Sequence, residues 1–171
     1  MCNAKNILIV RTDRMGDVVL TIPAIRALKQ TFPSAKISLW VDPSTMDLVE
    51  GLPFIDELIL EESAAGWWGY LRHIAALRRK KFDLAIIYHT KKHTNITCFF
   101  AGIPHRLGYK NNKCGFLLTQ PIVDERHLGT KHEVEYCMDL LKAIGVKGGG
   151  LELQVALHED AEACAERFFI D

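Results

Sequence analysis

The chain has no Cys-x-x-Cys pair, no apolar run long enough to span a bilayer, no glycine-rich phosphate loop and no net charge. Each gap excludes something. The five cysteines, Cys2, Cys98, Cys114, Cys137 and Cys164, are odd in number and scattered, which argues against a disulfide framework or a zinc site. They are expected as reduced thiols, mostly buried, in a cytoplasmic protein. The opening "MCNAKNILIV" lacks the long apolar core and small-residue cleavage site of a secretory signal. Neither secretion nor insertion into a membrane is therefore expected, and the sequon Asn95-Ile96-Thr97 carries no meaning without a secretory route. With 21 basic side chains against 21 acidic ones, global charge points to no partner, so local clusters must carry any electrostatic argument.

What is present reads as a globular α/β domain. Hydrophobic residues make up 49% and charged residues 25% of 171, enough for a core of one domain or of one half of a two-domain enzyme. Short continuous apolar runs, "NILIV", "AKISLWV", "DELIL" and "DLAIIY", alternate with amphipathic stretches. That is the pattern of parallel strands covered by helices on both faces, a Rossmann-like sheet. Val18, Val19, Ile22, Ile25 and Leu28 recur at helical spacing, as do Leu71, Ile74, Ala75 and Leu77 ahead of the basic end "RRKK". Past Tyr88 the sequence reads as a polar loop, a short apolar helix, a Gly-Ile-Pro break and further short strands. "KHEVEYCMDLLKAIGV" predicts a helix with Val134, Cys137, Met138, Leu141 and Ile144 on one stripe and Gly145 at its end. "LELQV" reads as a last strand, and "HEDAEACAERFFID" as a helix cut off without a C-cap. The natural protein is expected to continue beyond Asp171.

In an open α/β sheet, ligands bind beyond the carboxyl ends of the strands, which directs attention to "RTDRMGD" after the first strand. This loop has only Gly16, so neither a dinucleotide fingerprint nor a nucleoside-triphosphate loop is present. It offers Arg11, Asp13 and Arg14 as a charge cluster, Gly16 as a flexible point, and Asp17 immediately before the helical pattern. Asp17 reads as an N-cap whose carboxylate accepts backbone N–H bonds. The cap does not exclude a second role as general base, since a helix N-terminus favours negative charge. Asp13 is the competing carboxylate, and spacing does not decide between them.

Three stretches carry a resemblance: "ILIVRTDRMGDVVLTIPAIRALKQTFP", "FFAGIPHRLGY" and, more weakly, "KHEVEYCMDLLKAIGV". Together they resemble the lipopolysaccharide heptosyltransferases of glycosyltransferase family 9. The resemblance implies a GT-B fold of two Rossmann-like domains, with residues 1–171 as the N-terminal, acceptor-binding half and the nucleotide-sugar domain absent. It implies transfer of heptose from ADP-heptose to the inner core of lipopolysaccharide, with inversion and without a metal or other cofactor. The absence of a DxD motif is in keeping with that mechanism. The family's Gly-Asp aspartate falls on Asp17, as the base that deprotonates the acceptor hydroxyl. The isolated chain is expected to lack turnover.

An anionic, lipid-linked acceptor directs attention to cations. Candidates for binding it, beside Arg11, Asp13, Arg14 and Gly16, are Lys91, Lys92 and His93 in "HTKKHTN" and Arg106 in "PHR". The plainer reading of the first three is a solvated loop, and Arg106 alternatively braces its loop by bonding carbonyls. His93 departs from the Lys of the heptosyltransferase II pattern. His89, His93, His105, His127 and His132 lack metal-site spacing, and His132 at a helix start reads as structural. Trp67 and Trp68 beside Tyr70 suit sugar stacking or a membrane surface, but are expected to pack a helix start onto the sheet. "LRHIAALRRKK" has the character of a membrane-surface helix, with its apolar stripe more simply spent on the sheet. Peripheral contact with the inner face of the inner membrane is compatible with this, and no nucleic-acid partner is expected. The competing functions are a non-catalytic anionic-glycan-binding module and a transferase using another sugar nucleotide. A flavodoxin-like nucleotide-binding domain is disfavoured by the missing phosphate loop.

Overall fold

The computed structural model describes residues 4–61, 66–89, 91–111 and 113–156. Six parallel strands form one sheet in the order β3-β2-β1-β4-β5-β6. They are β1 (Asn6–Arg11), β2 (Lys36–Val41), β3 (Glu57–Leu60), β4 (Leu84–Ile87), β5 (His105–Tyr109) and β6 (Gln120–Ile122). All four apolar runs are strands, and the expected short strands past Tyr88 are β5 and β6. The helices are α1 (Met15–Thr31), α2 (Gly66–Lys80), α3 (Lys92–Phe100) and α4 (Glu133–Lys142).

Alternation along β1 divides the core into two layers, because successive side chains of a strand point to opposite faces. Ile7 and Ile9 join the apolar faces of α1 and α4 in the larger cluster. Leu8 and Val10 join Trp40, Leu77 and Cys98 in the smaller cluster, under α2 and α3. The chain doubles back between β1 and β4, the switch point where a doubly wound sheet leaves a crevice at its carboxyl edge.

Four local expectations need correction. Asp17 is not the N-cap of α1: Arg14 holds that position with extended backbone and no side-chain cap bond, and Asp17 lies within the first turn. The buried stripe of α2 is Gly69, His73 and Leu77, while Leu71 and Ala75 face outward. Trp67 and Trp68, expected against the sheet, are 70% and 77% exposed. The α4 stripe is buried as expected and Gly145, at φ +88°, ends it. "LELQV" pairs with no strand. It crosses α1 as an exposed extended strap, with Gly149 against Ala27, Arg26 donating to Gln154 Oε1 at 3.0 Å and Ala156 N donating to Leu48 O at 3.0 Å. All five of its residues are exposed, so its alternation buries no face. The helix expected over residues 158–171 lies outside the described residues. Among those described, no helix is long and apolar enough to cross a membrane.

Candidate functional site

The β1 apolar run ends in Arg11, and the sheet buries it. At 1% exposure it is among the largest fully buried side chains. A buried guanidinium needs carboxylates around it, and the fold supplies three from separate elements. Arg11 Nε lies 3.0 Å from Asp13 Oδ1, and Nη2 lies 3.2 Å from Asp17 Oδ1 and 3.1 Å from Glu133 Oε1 at the start of α4. Nε also donates to the Asp17 carbonyl at 3.2 Å, and the guanidinium lies 5.9 Å from the centre of the Tyr88 ring. Thr21 Oγ donates to the same carbonyl at 2.8 Å. Asp17 is thus fixed by backbone and side chain together.

Two hollows open at the carboxyl edge of the sheet and share Asp13 and Asp17. One, about 520 Å³, is lined by Arg11, Asp124, Arg126, His127 and Glu133. The other, about 490 Å³, is lined by Thr12, Arg14, Asp42, Ser44, His89 and Lys91. In the first, Arg126 is clamped to Asp124 at 2.7 Å and lies 4.5 Å from the Tyr109 ring centre. Its side-chain bond holds the Asp124 carboxyl below its ordinary range. In the second, Lys91 Nζ donates to the Thr12 carbonyl at 2.8 Å, tying the β4 loop to the β1 loop.

Burial lifts the Asp13 carboxyl above its ordinary range, with Arg11 pulling the other way. Burial, then Lys91 and Arg11, push His89 down to about 4, which leaves its imidazole neutral at pH 7. Its Nδ1 stands 3.9 Å from Asp13 Oδ2, too far for a hydrogen bond. Thr12 Oγ and His89 Nδ1 are buried without hydrogen-bond partners, and Asp13 Oδ1 has only its ion pair with Arg11. Such orphans at a cleft wall suit a polyhydroxylated ligand that donates and accepts.

Of the sequence-derived candidates, the structure brings together Arg11, Asp13, Arg14, Asp17 and Lys91. Gly16 is exposed on the same first turn, with open space where a side chain would be. Arg11 meets its carboxylates through Nε and Nη2 from inside the fold, as a clamp beneath the hollows. Lys92 is exposed at the start of α3 and lines neither hollow. His93 turns toward α2 and meets Glu61 Oε1 at 2.5 Å beside the Trp40 ring. It lines a separate cavity of about 240 Å³ with Tyr70, His73 and Thr97. Arg106 opens β5 in register with Ala85, at the opposite end of the sheet. There it donates to the carbonyls of Leu117, at 2.7 Å, and Ile103, so it braces its loop and lines neither hollow. His132 is structural as expected: its Nδ1 accepts from Val134 N and its own N–H donates to Glu135.

Sequence reasoning did not assign Asp42, Ser44, Asp124, Arg126 or Glu133 to the site. Glu133 sat in plain view as the first acidic residue of a helix, but nothing local links it to Arg11, 122 positions earlier.

Comparison with known proteins gives the geometry a context, although no family model matches the chain. It is 28% identical over 138 residues to a Haemophilus influenzae protein named "Putative glycosyltransferase", covering 81% of this chain and 40% of the relative. It is 27% identical over 123 residues to lipopolysaccharide heptosyltransferase 2 of Escherichia coli, covering 70% of this chain and 35% of the relative. Among solved structures, a glycosyl transferase family 9 protein from Veillonella parvula superposes with a TM-score of 0.79 at 23% identity, covering 97% of this chain and 49% of the other. ADP-heptose lipopolysaccharide heptosyltransferase II of E. coli gives 0.74 at 22%, covering 96% and 50%. The fold is therefore that of one half of these structures, and the chain spans two-fifths or less of the curated relatives' length.

Proposed function

We propose that this chain is the acceptor-binding half of an inverting, metal-independent heptosyltransferase that moves heptose from ADP-heptose to the inner core of lipopolysaccharide, with Asp17 as general base. The observation that carries this reading is the position of Asp17, at the seam of two hollows and held by the buried Arg11. The relatives named above supply the substrate class. A second domain of similar size would bring the nucleotide pocket.

The chemistry is a single displacement. As the acceptor hydroxyl oxygen attacks the anomeric carbon, Asp17 takes its proton, and the carbon–oxygen bond to ADP breaks with its electron pair leaving on the diphosphate. Proton removal at the moment of attack is worth roughly 10²–10⁴ in rate. Arg11 fixes the carboxylate without occupying the cleft. Lys91 and Arg14, on the rim of the second hollow, suit anionic groups of the acceptor. Asp13 lines the same hollows and also meets Arg11, and burial raises its affinity for protons, so it is the competing base and Asp13→Asn belongs in the same assay.

The test is ADP release by the full-length protein with ADP-heptose and purified inner-core acceptor, wild type against Asp17→Asn. Turnover is expected to fall by at least about 100-fold in a variant whose circular dichroism is unchanged. Undiminished turnover would leave Asp17 a structural carboxylate, and silence from both proteins would favour a glycan-binding module.

A further inference from the structure

One segment of this neutral chain is nearly free of acidic residues. Residues 66–120 hold ten Lys and Arg, at positions 72, 78, 79, 80, 81, 91, 92, 106, 110 and 113, against a single carboxylate, Asp83. That carboxylate is engaged, accepting from the backbone N–H groups of Lys5 and Asn6 at 2.8 and 2.9 Å. The stretch runs from α2 to the start of β6 and includes both helices that cover the smaller core layer.

The same segment displays its aromatics. Trp67, Trp68, Phe99, Phe100 and Phe116 are 70%, 77%, 43%, 57% and 84% exposed. No exposed Phe or Trp appears elsewhere among the described residues. On α2 the inward line is Gly69, His73 and Leu77. Helical spacing sets Trp67, Trp68, Leu71, Ala75, Arg72, Arg78 and Arg79 on the opposite, exposed side. The helix has no acidic residue at all. Two tryptophans and a leucine at one end and three arginines along the rest, with no acidic residue on the helix, make a face that is apolar at one end and cationic beyond it.

We infer that the outer face of α2 docks on an anionic bilayer surface, with Trp67 and Trp68 seated among the headgroups. Tryptophan favours that depth because its ring is apolar and its N–H stays hydrated. Basic residues close to the surface each add attraction to anionic lipid, and an amphipathic helix with cations on its polar side lies in the plane of the interface. A helix of 15 residues is about 22 Å long, so the tryptophans and the Arg78–Arg79 pair touch the surface together. Tyr70, one residue from Trp68, lines the cavity shared with His93 and donates toward the His93 carbonyl at 3.5 Å. The docked face thus adjoins the loop that carries Lys91.

This inference stands on charge and exposure and does not rest on the transferase reading. The experiment takes the full-length protein and measures co-sedimentation with vesicles of phosphatidylcholine alone or containing phosphatidylglycerol. Variants are Trp67→Ala/Trp68→Ala and Arg78→Glu/Arg79→Glu, each checked for folding by circular dichroism. Binding is expected only to the anionic vesicles, to weaken about tenfold or more in each variant, and to fall with salt. Tryptophan emission should shift to the blue on binding in wild type, and the share of that shift owed to Trp67 and Trp68 should be lost in the tryptophan variant, because Trp40 is already buried. Failure to bind anionic vesicles, equal binding by the variants, or tryptophans shielded from a soluble quencher before lipid is added would each overturn it. The last result would mean that another part of the protein covers the face. ADP release on a lipid-free acceptor, measured in parallel, reports on the transferase reading separately.

Discussion

Arg11 and His89 show two answers to the burial of an ionisable group. Arg11 keeps its charge because Asp13, Asp17 and Glu133 surround it; His89 gives its charge up, pushed down to about 4 by burial and by the cations Lys91 and Arg11. The sign of the second effect is testable. Unfolded His89 takes a proton near its ordinary 6.5, whereas the folded form resists until about 4, so its contribution to stability is present above pH 6.5 and is lost as pH falls toward 4. Replacing it by Gln should flatten that part of the stability curve, read as urea midpoints across the range. A wild-type slope retained in His89→Gln would assign the acid loss to other groups. Glu57 is one such group: against partial desolvation, Lys36 and Lys80 hold it down to about 2, and its contribution disappears at lower pH, between about 4.5 and 2.

Among the elements, α1 carries the site and starts badly. Arg14 has the extended backbone of an N-cap but offers no side-chain acceptor, so the first-turn N–H groups face the cleft uncapped. Arg14→Ser is expected to stabilise the fold by about 1 kcal/mol, measured by chemical denaturation. On the transferase reading it lowers turnover as well, because an anion-binding side chain leaves the rim. The elements were legible in the sequence wherever one physical rule dominated. The four apolar runs are strands because only a sheet covered on both faces hides continuous Leu, Ile and Val. Asp13 and Asp17 could be placed at the crevice because a carboxyl-edge loop must face it, and Lys91 was reached only by asking where cations for an anionic acceptor lie. The register of α2 was not, since Trp67 and Trp68 look like core residues by composition while the narrow line Gly69–His73–Leu77 does the packing. Arg106 misled because a motif does not say which end of a strand faces the cleft. Glu133 was hidden because ion pairs across 122 positions leave no periodicity.

At the scale of the whole molecule, the sheet separates two unlike sides. The α1–α4 side holds the larger core layer and the strap over residues 149–156; the α2–α3 side holds the cations and exposed aromatics. Stability should divide accordingly. In hydrogen exchange, the amides of β1, β4 and α4 are expected to open only with global unfolding, and residues 150–155 to exchange far faster, since they are exposed and join no ladder. Exchange of α4 well ahead of β1 would mean that the helix is a separate unit.

The attachment of α4 bears on how the cleft can move. Tyr88 Oη donates to the Cys137 carbonyl at 3.3 Å and Tyr109 Oη to the Tyr136 carbonyl at 2.6 Å, so two strands grip the main chain of the helix as well as its side chains. A helix held in this way resists both rolling and sliding. Glu133, at its first residue, and Arg11, at the end of β1, are therefore parts of one stiff plate. Such a plate works as an anvil: it presents the same carboxylates to every ligand, and whatever closes over it must bring the motion from the opposing side.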